Sequence, residues 1–143
     1  MSLMLRSDRL ILFGRYPVPG RTKTRLIPLL GAARAAEFQR DLTENILRTD
    51  RSFARRHPID LEGCFEGGSL RKLRQWLGMN LIFSPQIPGD LGDRMEAAFL
   101  KAFREGARHV ILHGTDIFGL TVGHLSDAFD ALRNHDVVLG PST

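Results

Sequence analysis

Short apolar runs alternate along the chain with longer segments in which apolar residues recur every three or four positions. The runs predict five β-strands, at 9–14 (RLILFG), 58–65 (PIDLEGCF), 80–84 (NLIFS), 109–114 (HVILHG) and 136–140 (DVVLG). The longer segments predict amphipathic helices at 32–49, 69–78, 93–106 and 121–134. This alternation predicts a Rossmann-like α/β/α fold of three layers, with a mostly parallel sheet covered on both faces by crossover helices.

Local residues refine the helices. Ser69 and Thr121 are expected to cap the starts of two of them, and Gly78 is expected to end the first of these. In the segment 32–49, one stripe is predicted to face the core, and it contains Ala35, Phe38, Leu42 and Ile46.

Length and composition favour one ordinary globular domain over residues 1–143, since 43% of the residues are hydrophobic and 25% are charged. The single cysteine, Cys64, cannot form an internal disulfide, and its apolar surroundings predict a buried side chain. No apolar run approaches the roughly 18 residues of a membrane span, and the start lacks a signal-peptide core. We therefore expect a cytoplasmic protein.

The positive charge is concentrated near the start of the chain. There are 20 Lys and Arg residues against 16 Asp and Glu, and six of the cations lie between Asp8 and Glu37, where there is no acid. Removing these six leaves 14 cations against 16 acids. A single focus of charge suits a small anion such as a phosphorylated ligand. No aromatic residues alternate with the cations, which disfavours a nucleic-acid partner.

The loop that follows the first predicted strand, GRYPVPGRTKTRL (14–26), carries much of this charge. In parallel sheets, ligands bind beyond the carboxyl ends of the strands, so Arg21, Lys23 and Arg25 could reach one spot there. Guanidinium groups and a lysine suit phosphate oxygens. The spacing is not that of a Walker P-loop, and no Gly-x-Gly-x-x-Gly is present. The alternative is a solvated basic loop that leads into a helix.

Other candidate side chains follow later strands. Asp116 follows the fourth predicted strand, where a carboxylate could hold a divalent cation that neutralises phosphates, although a turn residue is the alternative. Asp90 and Arg94 surround the start of a helix, where they could contact a nucleotide or acceptor, with helix capping the alternative for Asp90. His109 and His113 would lie roughly 13 Å apart on a strand, too far apart to share a zinc ion.

Four ordered motifs resemble a known family: FGRYPVPGRTKTRL, GDLGDRM, GTDIFGLT followed by HLSDAFDAL, and HDVVLGP. They are similar to the bacterial radical-SAM/selenodomain-associated transferases, which are glycosyltransferase-like members of the nucleotide-diphospho-sugar transferase superfamily. The resemblance runs from about residue 10 to 141. It implies a GT-A fold that binds a nucleotide or nucleotide-sugar, with Mg²⁺ or Mn²⁺ bridging the phosphates.

Individual residues carry this resemblance. Arg15, Lys23, Thr24 and Arg25 match the family's basic loop, and Asp116 matches its acidic position after the fourth strand. The predicted nucleotide site also contains Asp90 and Arg94, named above, and Gly20, which would help to hold the basic loop in a fixed turn.

The chain also departs from the family pattern. Ile117 and Phe118 stand where the family usually has Cys-Pro, and family members continue past the Gly-Pro of the last motif. The resemblance therefore implies a glycosyltransferase or nucleotidyltransferase domain without the usual carboxyl-terminal segment. The alternative is a non-catalytic relic that binds a nucleotide or a partner. A homodimer is predicted to cover the sheet edge at 137–139.

Overall fold

Four parallel strands form a single sheet in the computed structural model, which describes residues 5–140. In chain order they are β1 (Asp8–Arg15), β2 (Ile59–Glu66), β3 (Ile82–Pro85) and β4 (His109–His113). The order across the sheet is β3-β2-β1-β4. The chain adds strands to one side of β1 and then returns to the other side, so a topological switch point lies between β1 and β4.

Helices cover both faces of the sheet. After a 3₁₀ turn (Thr24–Leu26) they are α1 (Ile27–Leu30), α2 (Ala32–Ala54), α3 (Leu70–Leu77), α4 (Leu91–Arg104) and α5 (Val122–Leu132). Alternate residues of β1 face opposite sides: Leu10 and Leu12 pack with residues of α2, α3 and α5, whereas Ile11 packs with residues of α4. The predicted three-layer α/β/α fold with a parallel sheet is confirmed. No helix within residues 5–140 is long and apolar enough to cross a membrane.

The predicted caps are present. Ser69 Oγ accepts a hydrogen bond from the Lys72 amide at 3.1 Å, and Gly78 ends α3 with a φ of 89°. The Thr121 hydroxyl accepts from the His124 amide, while the His124 ring accepts from the Thr121 amide, which forms a capping box. These local hydrogen bonds explain why the predicted starts of α3 and α5 are accurate.

The predicted strand at 136–140 is wrong, because these residues form no strand in the structure. Val137 and Leu139 are 73% and 88% exposed, so their side chains gain no burial of the kind that stabilises a central strand. An apolar run becomes a strand only when a neighbouring strand pairs with it, and none in residues 5–140 does. The homodimer was predicted from an exposed edge strand at 137–139. It stays a prediction, but these residues form no strand that could support it.

The predicted buried face of α2 is also partly wrong. Phe38 is 39% exposed, whereas Gln39 and Thr43, two polar residues outside the predicted stripe, are almost fully buried, as is Asp50 beyond the predicted end of the helix. The helix is rotated so that these side chains meet partners on α2 itself and at the end of β4. It also extends to Ala54, beyond the predicted 49.

Cys64 lies on β2 and is 3% exposed, as predicted. Burial is the main cause that raises the pKa of its thiol. The side chain therefore packs as a small apolar group.

Candidate functional site

A cleft of about 460 Å³ lies at the carboxyl ends of the strands, beside the switch point between β1 and β4. Six of the eight predicted site residues line it, namely Arg15, Lys23, Thr24, Arg25, Arg94 and Asp116. Gly20 and Asp90 do not. Gly20 lies in the turn that precedes Lys23 and has a φ of 86°. The Asp90 side chain caps α4 by accepting a hydrogen bond from the Asp93 amide at 2.8 Å.

The loop after β1 is folded around a buried threonine. Thr22 Oγ1 accepts a hydrogen bond from the Val18 amide at 2.7 Å, and the Thr22 amide donates to the Val18 carbonyl at 3.0 Å. The next residue, Lys23, has φ 51° and ψ 47°, and within residues 5–140 it alone among non-glycine residues has a positive φ. A left-handed lysine is strained, and such strain concentrates at functional sites.

The strained backbone directs the Lys23 side chain across the cleft. Its Nζ donates to Asp116 Oδ1 at 2.7 Å, which joins the loop after β1 to the segment after β4. The Asp116 side chain remains 64% exposed. The two residues predicted to contact phosphate and metal therefore lie in the same cleft, and they are paired with each other.

Two arginines converge on one carboxylate at the other side of the cleft. Arg15 donates to Glu66 Oε2 through Nε and Nη2, at 3.1 and 2.8 Å, and Arg94 Nη1 lies 3.2 Å from the same oxygen. Gln86 Oε1 accepts from Arg94 Nη1 at 2.8 Å, while Gln86 Nε2 donates to the Gly14 carbonyl at 2.8 Å. Glu66 and Gln86 thus hold two guanidinium groups in place with only one compensating charge.

The cleft keeps a positive excess, although a smaller one than the sequence indicates. Four cations line it against two carboxylates, Glu66 and Asp116. Arg25 is exposed and makes no ion pair with the described residues. Arg9 belongs to the basic stretch in sequence only, since it is fully buried in the core beside Glu62. The stretch contains no acid along the sequence, but in the structure distant acids pair with two of its loop cations, since Arg15 pairs with Glu66 and Lys23 with Asp116.

A buried polar network supports the segment that carries Asp116. His113 Nε2 lies 2.8 Å from Asp50 Oδ1, and His113 Nδ1 lies 2.8 Å from the Gly114 carbonyl oxygen. Because both ring nitrogens face oxygen atoms, the geometry favours a charged ring that is protonated on both nitrogens, although burial also raises the pKa of Asp50. Burial works against this charge, but the Asp50 carboxylate outweighs it and raises the pKa of His113. His109, at the start of β4, pairs with Asp8 instead, at 2.7 Å.

The cleft also contains three residues that were not predicted from the sequence: Glu66, Gln86 and Gln39. Glu66 is the last residue of β2 and Gln86 directly follows β3, so the rule that ligands bind at the carboxyl ends of parallel strands could have found both. Gln39 gave no such signal, because a glutamine on a helix is ordinarily solvated.

The family named DUF2064, described as "Uncharacterized protein conserved in bacteria", matches residues 49–143. A solved structure from Desulfovibrio desulfuricans G20, described as a "putative nucleotide-diphospho-sugar transferase", is similar with 32% sequence identity and a TM-score of 0.80. The match covers 90% of this chain and 55% of the solved chain, so the protein spans little more than half the length of that relative. None of the curated proteins compared matches this chain.

These likenesses agree with the architecture at the cleft. The fold is that of a nucleotide-diphospho-sugar transferase of GT-A type, with a parallel sheet and an open switch point at the carboxyl ends of its strands. Because the family match covers well over half of the chain, the protein belongs to the DUF2064 family.

Proposed function

We propose that the cleft binds a nucleotide or nucleotide-sugar through its phosphates, and that the protein acts as a glycosyltransferase or nucleotidyltransferase. The observation that carries this proposal is that Arg15, Arg94 and Lys23 line one cleft at the carboxyl ends of the strands. The description of the solved relative as a nucleotide-diphospho-sugar transferase supports it. The narrower assignment to the radical-SAM/selenodomain-associated transferases stays a prediction.

The charge of the cleft fits a diphosphate. Four cationic side chains against two carboxylates leave an excess of two positive charges. In a nucleotide-sugar, each of the two phosphate groups carries one negative charge, so the ligand would neutralise this excess. The forked guanidinium groups of Arg15 and Arg94 suit paired phosphate oxygens, while Lys23 supplies a point charge.

Binding would require Lys23 to exchange partners. In the free protein its ammonium group donates to Asp116, and a phosphate oxygen would replace that carboxylate. Asp116 would then be free to hold Mg²⁺ or Mn²⁺, and such ions accept one or two protein carboxylates together with phosphate oxygens and water. The donor set therefore fits a metal only in company with the ligand's phosphates. A bound ion would neutralise phosphate charge.

The chain's own residues would act on the leaving group. In glycosyl transfer, the acceptor oxygen forms a bond to the anomeric carbon, the bond from that carbon to the phosphate oxygen breaks, and the diphosphate leaves with the electron pair. The acceptor's proton passes to water. Arg15 and Arg94 would stabilise the charge that develops on the diphosphate, so positioning and electrostatics would supply most of the rate enhancement.

One observation favours the second candidate function, binding without turnover. Among the residues that line the cleft, the two carboxylates Glu66 and Asp116 are both held in ion pairs. Glu66 is paired with Arg15 and Arg94. Asp116, once released from Lys23, would hold the metal, so neither carboxylate is left to accept a proton from an acceptor hydroxyl. Binding and catalysis are therefore tested separately, the first by thermal shift and the second by product formation.

A nucleotide or nucleotide-sugar with Mg²⁺ is expected to raise the melting temperature of the protein. At a concentration of one hundred times Kd, the stabilisation is about 2.7 kcal/mol, which corresponds to a rise of several degrees. The double variant Lys23→Ala/Arg25→Ala should lose this rise, because it removes half of the cations that line the cleft. Thermal denaturation across a panel of nucleotides, with and without metal, measures both.

The matched control is Arg71→Ala/Arg74→Ala, which removes two exposed arginines of α3 that do not line the cleft. This variant should keep the full rise. A melting temperature unmoved by every nucleotide and nucleotide-sugar of the panel contradicts the proposed function. Equal rises in the two double variants contradict the assignment of Lys23 and Arg25.

A further inference from the structure

Gln39 is a buried amide that lines the cleft with part of its hydrogen-bonding capacity unused. Its side chain projects from α2 and the residue is 4% exposed. Its Nε2 donates to Thr115 Oγ1 at 3.0 Å and to Thr43 Oγ1 at 3.3 Å. Its Oε1 accepts no hydrogen bond from any of residues 5–140.

The contacts with Thr43 determine which atom of the Gln39 amide is Nε2 and which is Oε1. The hydroxyl of Thr43 donates its proton to the main-chain carbonyl of Gln39, at 2.9 Å. Thr43 Oγ1 can therefore only accept from the amide, so the group that faces it must be the NH₂. Both amide protons are then used, one on each threonine. The carbonyl oxygen is the group without a partner.

A ligand phosphate cannot be the missing partner. An ionised phosphate offers acceptors only, and an amide carbonyl is an acceptor as well, so the two repel each other. The partner must be an O–H or N–H donor. In a nucleotide or nucleotide-sugar, such groups lie on the sugar rings and on the amine and ring N–H groups of the base.

We propose that Gln39 Oε1 is a specificity determinant of the cleft that accepts a hydrogen bond from an O–H or N–H donor of the ligand, away from its phosphates. The inference rests on the proposed function and adds a requirement to it: charge alone does not select the ligand. Gln39 Oε1 is not among the fully buried side-chain atoms that lack a partner, so this oxygen is open to the cleft. A ligand that covered the oxygen without offering a donor would leave the carbonyl unpaired, and sites built to pair a polar group reject such ligands.

Binding of ligand pairs that differ in one donor tests this proposal. The first arm compares ribonucleoside diphosphates with their 2′-deoxy and 3′-deoxy forms. The second arm removes one donor from the base or from the transferred sugar: it compares adenosine diphosphate with purine riboside diphosphate, which lacks the 6-amino group, and uridine diphosphate glucose with its deoxyglucose analogues. Dissociation constants come from calorimetric titration. In one arm, the ligand with the donor should bind wild-type protein about tenfold or more tightly than the ligand without it. The arm that responds identifies the donor.

Two variants separate this role from a structural one. Gln39→Met, of similar size and without an acceptor, should bring the ratio of the two constants close to one. Thr43→Ser removes a methyl group from the same buried face but keeps the hydroxyl that orients the amide, so it should keep the ratio. A ratio of two constants is insensitive to a general loss of stability.

The experiment distinguishes a failure of the proposed function from a failure of the role of Gln39. Wild-type protein that binds none of these nucleotides contradicts the proposed function, and the role of Gln39 with it. Wild-type protein that binds the nucleotides with no preference in either arm contradicts the role of Gln39 alone. So does a preference that survives in Gln39→Met.

Discussion

Replacement of Arg9 by methionine is expected to lower the free energy of unfolding by about 3–5 kcal/mol, because it leaves a charge buried without its main partner. Arg9 Nη1 donates to Glu62 Oε1 at 2.8 Å, and both side chains are fully buried. Glu62 would keep only the Ser84 hydroxyl, at 2.6 Å, and the Lys101 ammonium group, at 3.5 Å. Urea unfolding followed by circular dichroism measures the loss.

The matched control removes the whole buried group. In the triple variant Arg9→Met/Glu62→Leu/Ser84→Ala, no charge or hydroxyl of this cluster stays buried, while Lys101 and Glu105 still pair with each other at 3.0 Å. Its stability should lie within about 1 kcal/mol of wild type or exceed it, as happens when apolar residues replace a buried ion pair. Arg9 Nε and Nη2 have no hydrogen-bond partner among the described residues, which favours a gain.

Two results would contradict this account. A single variant Arg9→Met as stable as wild type would mean that Lys101 alone compensates Glu62. A triple variant as unstable as the single variant would mean that packing, and not the unpaired charge, causes the loss.

Arg9 also shows what charge patterning along a sequence can establish. Counting residues placed Arg9 in a run of cations, and the count is correct, but the partner of Arg9 is 53 residues further along the chain. Lys23 and Asp116 are 93 residues apart, and Arg15 and Glu66 are 51 apart. Neutralisation depends on register between strands, which a count of neighbouring residues does not contain.

The strands and helices were largely predictable because their signals are local. The period of apolar residues, together with caps such as Ser69 and Thr121, depends on a few adjacent positions. From the order of elements, the parallel sheet and its carboxyl-edge site followed. Thus Lys23 and Asp116 could be expected in one cleft, and the structure brings them there.

The features that were not predicted correctly share one cause: the contact that determines each of them joins residues far apart in the sequence. Asp50 lies beyond the predicted end of α2, and only its contact with His113, 63 residues away, explains its burial. The run 136–140 reads as a strand, but no neighbouring strand within residues 5–140 pairs with it. Gln39 was missed for the same reason as Asp50, since its partner Thr115 is 76 residues away.

The pair of Asp50 and His113 makes the stability of the protein depend on pH. Below a pH of about 6.5 the His113 ring is charged in both folded and unfolded chains, so the stability that the raised pKa of His113 contributes is fully present. As the pH rises above that value, the unfolded chain releases the proton and the folded chain retains it, because the folded pKa of His113 is raised. Stability therefore falls with rising pH until the folded pKa is passed, by at most about 1.4 kcal/mol per pH unit.

Asp50→Asn should abolish this dependence, because an amide does not hold the ring in its charged form. The variant should also lose about 3 kcal/mol or more near pH 6, where it leaves a buried ring without its carboxylate. The control is Asp8→Asn, which removes the carboxylate from the partly exposed His109 on the same strand and should cost far less. Urea unfolding of the three proteins between about pH 5.5 and 8.5 gives the slopes. Equal slopes in wild type and Asp50→Asn would show that another group controls the pH dependence, and the charged state assigned to His113 would then be wrong.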